Sequence, residues 1–162
     1  MITRQIFLKL CLAPALAGFL ADQLSKYYWL EIVHLGAVSP VQVTPFFNLV
    51  MVWNHGISFG MFSRHDAAYA LIALALAIVG FLLWWVRTLQ TRNEILAVGL
   101  IIGGAMGNVI DRLRFGAVAD FFDLHAFDYH WPAFNIADSC IFIGVVLLCW
   151  ESMFHKTSPA ES

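Results

Sequence analysis

Residues 67–86 read AAYALIALALAIVGFLLWWV, a stretch with no charged side chain on any face. A helix needs about 20 apolar residues to cross roughly 30 Å of hydrocarbon. A helix on the rim of a soluble core keeps a polar stripe, and this one has none. The solvent it calls for is lipid. Three further windows of similar length and character lie at about residues 6–30, 95–114 and 135–154. The 162-residue chain is 60% hydrophobic and 12% charged, with mean hydropathy +0.76. Soluble domains carry about 25% charge. The expected architecture is a single membrane domain over residues 1–162, an all-α integral membrane protein with four transmembrane helices.

Arg4 and Lys9 precede an apolar run that contains A-x-A pairs among Ala13, Ala15 and Ala17, an arrangement similar to a secretory signal. Three later apolar runs make it a retained first span instead. Residues 87–94 are short and polar, so the second and third spans form an antiparallel pair. Residues 31–66 hold the alternating, β-branched stretch Val41-Gln42-Val43-Thr44 and the strand-like 46–53, punctuated by Pro40 and Pro45. They predict a small β element on the membrane surface between the first two spans. Residues 115–134 are aromatic-rich, lack Lys and Arg, and read as a loop packed at the interface. Arg4, Lys9, Arg87, Arg92 and Lys156 fall on one side of this layout, which sets both termini in the cytoplasm.

The net charge of −2 says nothing about nucleic acid, and no basic run points to a polyanion, so no nucleic-acid partner is expected. Cys11, Cys140 and Cys149 sit in apolar stretches without a C-x-x-C pair and read as packing residues. No metal site or cofactor is expected. H-E-x-x-H is absent, and His125 and His130 flank the aromatic segment as interfacial residues. Gly56-Ile57-Ser58-Phe59-Gly60 matches G-x-S-x-G, but that motif needs an α/β sheet which this chain cannot build.

A charge at membrane depth costs about 2.5–3.5 kcal/mol, so those retained there point to function. Asp22 and Lys26 are one helical turn apart and can pair. Asn108, Asp111 and Arg112 share a face of the third span, behind Gly103, Gly104 and Gly107, whose small size admits a neighbouring helix. A structural ion pair and a structural polar network are the plain alternatives. Asp120 follows the third span, and Asp138 sits in the first turn of the fourth, with Asn135 placed to cap it. Both aspartates fall at the same interface. Two carboxyl groups that meet there would share a proton, one activating water while the other polarises a carbonyl. The alternative is two unrelated aspartates, one in a loop and one in a cap.

The motifs together resemble the lipoprotein signal peptidases, the type II signal peptidases of bacteria. Asp22-Gln23-Leu24-Ser25-Lys26 is similar to that family's D-Q-x-x-K, and residues 54–60 (NHGISFG) to N-x-G-x-x-F. Residues 103–112 (GGAMGNVIDR) are similar to G-G-x-x-G-N-x-x-D-R, residues 116–121 (GAVADF) to G-x-V-x-D-F, and residues 134–139 (FNIADS) to F-N-x-A-D-S. Five motifs occur in the family's order over nearly the whole chain. The resemblance implies an aspartic endopeptidase of the bacterial inner membrane with its site near the periplasmic face. Its substrates would be diacylglyceryl-modified prolipoproteins, cut just before the lipidated cysteine, and it would act as a monomer among membrane lipids. It implies Asp120 and Asp138 as the catalytic pair, the V-x-D-F frame choosing Asp120 over Asp123. Asp22, Lys26, Asn54, Gly56, Asn108, Asp111, Arg112 and Asn135 would order the site or contact substrate. His55, Ile57 and Ser58 depart from the family's usual residues, in the surface element expected to cover the substrate. A proton relay would spread polar groups through the bilayer depth, and a noncatalytic assembly partner would not need the five motifs in order.

Overall fold

The computed structural model describes residues 4–56 and 64–154. Helix α1 (Arg4–Tyr27) runs on through a π-helical turn, Tyr28–Ile32, into the short helix α2 (Leu35–Val38). Strands β1 (Val41–Thr44) and β2 (Phe47–Asn54) follow, then helices α3 (Arg64–Trp85) and α4 (Arg92–Phe115). Strands β3 (Val118–Ala126) and β4 (Tyr129–His130) and helix α5 (Ile136–Phe154) complete the chain. Ile57, Ser58, Phe59, Gly60 and Lys156 lie outside the described residues, as do the side chains of Arg4 and Arg64.

Among the described residues three helical segments are long and apolar enough to cross a membrane: Ala67–Thr88, Arg92–Phe115 and Ile136–Phe154. Their bulky outward side chains, including Phe81 and Trp84 on α3 and Phe142 and Trp150 on α5, are exposed. Apolar side chains turned outward in this way are solvated by lipid.

Helix α4 is the centre of the bundle and packs against α1, α3 and α5. Its glycines explain the closeness. A methyl group at Gly103 would strike the Ala15 carbonyl of α1, and one at Gly107 would strike the Asp22 carboxylate. On the other side, a methyl group at Gly104 would strike the Ala137 carbonyl of α5. Two faces of α4 are therefore cut down to backbone, and polar groups on three helices come within bonding reach of one another. Thr91 and Glu94 form a capping box at the start of α4, and Gly116, at φ 70°, ends it.

The interfacial loop expected over residues 115–134 is instead half of a sheet. The strands form one antiparallel sheet in the order β1-β2-β3-β4, with Val52 opposite Asp120 and Asn48 opposite Asp123. The β element is not confined to the connection between the first two long helices. The connection after α4 supplies its third and fourth strands. Leu35, Leu49 and Phe121 form a small core beneath it, flanked by Trp29, Phe47 and Met51. The sheet, whose third strand carries Asp120, is therefore fixed to the end of α1.

Candidate active site

All ten residues singled out in the sequence come together at the end of the bundle where the sheet sits. The deepest layer is a buried ion cluster. Lys26 Nζ lies 2.8 Å from Asp22 Oδ2 and 2.8 Å from Asp111 Oδ2, and donates to Asn108 Oδ1 at 3.4 Å. One ammonium thus meets two carboxylates in a place almost without solvent. The surplus negative charge is met by N–H groups. The Ala137 amide, in the first turn of α5, donates to Asp22, and the Ala119 amide donates to Asp111. Gln23 donates to Asp22, to Asp111 and to the Gly107 carbonyl. Asp22 thereby satisfies one of the free amides at the positive end of α5. The spacing argument passed over Gln23 because residues i and i+1 point about 100° apart on a helix. The packing of α1 on α4 gives it two further partners, Asp111 and the Gly107 carbonyl.

Asn108 and Asn135 form the next layer. Asn135 Nδ2 donates to Asn108 Oδ1 at 3.2 Å, and Asn108 Nδ2 donates to Asp138 Oδ1 at 2.8 Å. Asn135 caps α5 as its position predicts. Its Oδ1 accepts from the Asp138 amide at 3.0 Å, while Asp138 Oδ2 accepts from the Asn135 amide at 3.3 Å. The same Asn135 Nδ2 donates to Asp120 Oδ1 at 2.6 Å. One asparagine is therefore bonded to both aspartates, although Asp120 belongs to a strand and Asp138 to a helix.

Asp120 is buried and its second oxygen accepts from Asn54 Nδ2 of β2 at 2.9 Å. Asn54 is itself oriented by the Gly56 amide, which donates to its Oδ1 at 2.8 Å. Gly56 has φ 76°, a left-handed conformation natural to glycine. Burial, with the Asp138 charge added, lifts the Asp120 carboxyl from the usual carboxylate range to about 6, against the lowering effect of the Asn54 and Asn135 bonds and of Lys26. The Arg112 guanidinium donates to the Asn108 carbonyl at 3.3 Å and adds a positive field felt by Asp138, Asp120 and Asp111.

Beside this pair a cavity of about 450 Å3 opens, with Asp138 at its edge and walls that include Trp131, Phe134, Phe142 and Ile143. A larger one, about 730 Å3, lies at the opposite end of the bundle near Trp85 and Leu148. There Glu94 is engaged in the α4 capping box and Glu151 is bonded by Asn93, so the second cavity offers no comparable pair of carboxyls.

The family model for "Signal peptidase (SPase) II" matches residues 14–154. The lipoprotein signal peptidase of Nitrobacter hamburgensis is 42% identical over 158 residues, covering 93% of this chain and 95% of its own. That of Thermodesulfovibrio yellowstonii is 46% identical over 134 residues, covering 83% and 88%. A solved bacterial membrane enzyme superposes with TM-score 0.77 at 30% identity, covering 90% of this chain and 92% of its own. Another gives 0.73 at 29%, covering 92% and 93%.

Proposed function

Because the chain belongs to the signal peptidase II family, we propose that it is a membrane aspartic endopeptidase that removes signal peptides from diacylglyceryl-modified prolipoproteins, cutting just before the lipidated cysteine. The observation that carries this reading is Asn135, bonded at once to Asp120 and Asp138. It links residues of two different elements, and the carboxyls of both accept from neutral side-chain amides.

In the proposed reaction the pair carries one proton, on Asp120, where burial favours it. Asp138, as carboxylate, takes a proton from water while the water oxygen attacks the scissile carbonyl carbon. Asp120 gives its proton to the carbonyl oxygen as the tetrahedral intermediate forms. The proton then on Asp138 passes to the amide nitrogen and the C–N bond breaks, while Asp120 regains a proton from the intermediate's hydroxyl as the carbonyl reforms. The products are a signal peptide with a new carboxyl end and a lipidated cysteine with a free amine. No metal or covalent intermediate enters this scheme. Asp22, Lys26 and Asp111 lock α1, α4 and the start of α5 behind the pair. Asn54, Gly56, Asn108, Asn135 and Arg112 set its hydrogen bonds and field.

The substrate joins an apolar signal helix, two acyl chains and a polar mature segment. The aromatic cavity at Asp138 suits the apolar parts, and the exposed sheet suits the polar one. In this reading α1 is a fourth span and residues 1–162 form one membrane domain. Both termini face the cytoplasm of a bacterial inner membrane, the site opens near the periplasmic face, and the chain acts as a monomer. The test is purified protein in lipid with a synthetic prolipoprotein peptide. Unaided release of the signal peptide from the diacylglyceryl form is expected. Wild-type-like cleavage by Asp120→Asn or Asp138→Asn would overturn the catalytic assignment, and equal cleavage of the unlipidated peptide would overturn the substrate class.

A further inference from the structure

Past Asp120, β3 carries a second set of chemically capable side chains. Asp123 and His125 are two positions apart on one strand, so they project from the same face of the sheet. His130 of β4 stands directly opposite His125 and shares that face. The three converge. His130 Nδ1 lies 2.9 Å from Asp123 Oδ1 and His125 Nδ1 lies 3.9 Å from Asp123 Oδ2. One ligand atom from each of the three falls within 4.8 Å of the others. The two imidazoles stack with centroids 4.9 Å apart and planes 16° apart.

Three features set this group apart from a chance surface cluster. His125 Nδ1 is buried and has no hydrogen-bond partner, a vacant nitrogen turned toward the carboxylate. Asn48 of β2, opposite Asp123 in the register, donates to Asp123 Oδ2 at 3.0 Å and fixes that side chain. Such an outer partner orients a ligating carboxylate. Exposure is graded, with the side chains of Asp123 and His125 8% and 11% exposed and that of His130 53%. The group has a closed base and one open side.

We propose that Asp123, His125 and His130 bind a divalent cation of the zinc class, which clips the β3–β4 hairpin together. Two imidazole nitrogens and one carboxylate favour a borderline, nitrogen-seeking ion over magnesium or calcium. Ligand atoms about 2.0–2.2 Å from a tetrahedral ion lie roughly 3.3 Å from one another. The observed separations bracket that value, so side-chain rotation suffices to close the site. A fourth position is left for water. One carboxylate and two neutral imidazoles give a local charge of −1, which the dication reverses. The ion would stiffen the strand that carries Asp120 three residues before Asp123, and it takes no part in the peptidase chemistry.

The test uses the full chain, purified in detergent without a histidine tag and stripped with chelator, and reads binding, not peptidase activity. Calorimetric titration with Zn2+ is expected to give one equivalent per chain. Co2+ is expected to give visible absorption bands of a four- or five-coordinate nitrogen–oxygen site. His130→Ala, on a half-exposed side chain whose loss spares the fold, and His125→Ala should each weaken binding by at least about 10-fold. Asn48→Ala should weaken it by about 10-fold, and His34→Ala should leave it unchanged. Absence of stoichiometric binding, or equal affinity in the wild type and both histidine variants, would overturn the site.

Discussion

Two groups of aspartates sit side by side at one end of this bundle and are treated differently. Asp22 and Asp111 flank the Lys26 ammonium, and the other oxygen of each accepts an amide N–H, from Ala137 on Asp22 Oδ1 and from the Gln23 side chain on Asp111 Oδ1. Asp120 and Asp138 are held by the side-chain amides of Asn54, Asn108 and Asn135, and the nearest guanidinium, Arg112, bonds a backbone carbonyl instead. A buried ion cluster in which every carboxylate oxygen has a donor is costly to break. Carboxyls bonded to neutral amides are positioned without being committed to a charge state. In the proposed mechanism the same residue type thus serves as scaffold in one group and moves a proton in the other. The partner, more than the depth of burial, makes the distinction.

That contrast can be broken by substitution. Asp120→Asn and Asp138→Asn should each reduce cleavage by about 10²–10⁴-fold while the thermal transition of the purified protein stays close to wild type. Lys26→Met should do the reverse, acting first on the fold. It strands two buried carboxylates, an effect of about 3–5 kcal/mol, read as a fall in melting temperature. Adding Asp111→Asn should recover part of that loss. If Lys26→Met melts like the wild type, the first group is not a scaffold.

Smaller changes sharpen the difference. Asn54→Ala removes a bond to the neutral Asp120 carboxyl and should slow cleavage by about 2–10-fold, the range of an uncharged hydrogen bond. The pH profile carries a sign. With the Asp120 carboxyl lifted to about 6, Asp120 holds its proton below that value and ionises as pH rises through it. kcat/KM should therefore fall on the alkaline side of about 6, by about tenfold per pH unit. The kcat limb should lie higher, because bound substrate buries the carboxyl further and burial favours its neutral form. Asn54 holds the Asp120 value down, so Asn54→Ala should move the limb upward. A profile flat from pH 5 to about 9 in kcat/KM would contradict the shared proton. Thr91→Ala, which opens the α4 capping box far from both groups, should cost about 1 kcal/mol of stability and leave cleavage per folded molecule unchanged.

Much of this was legible in the chain. The charge-free run 67–86 announces a membrane span, and α3 covers all but its last residue, which begins the 3-10 turn. Spacings of three and four put Asp22 with Lys26 and Asn108 with Asp111 and Arg112, and the coordinates keep each set together. The cap at Asn135 was legible as well, and capping turns out to be compatible with a place beside Asp120. Other parts were hidden. Residues 118–126 looked like loop because their partner strand is β2, and local pattern says nothing of a pairing across more than sixty residues. With the strand missed, the shared face of Asp123, His125 and His130 was missed too. Gln23 escaped because its two outer partners lie on α4.

The chain alone determined what must be apolar, what must be helical and which polar groups lie a turn apart, since periodicity and composition act over a few residues. That Asp111 joins Asp22 on the Lys26 cation while Asp120 and Asp138 meet only amides was decided by the tertiary structure. That outcome depends on α1, α4, α5 and the sheet meeting at one point, and the meeting is governed by close backbone packing between segments far apart in sequence.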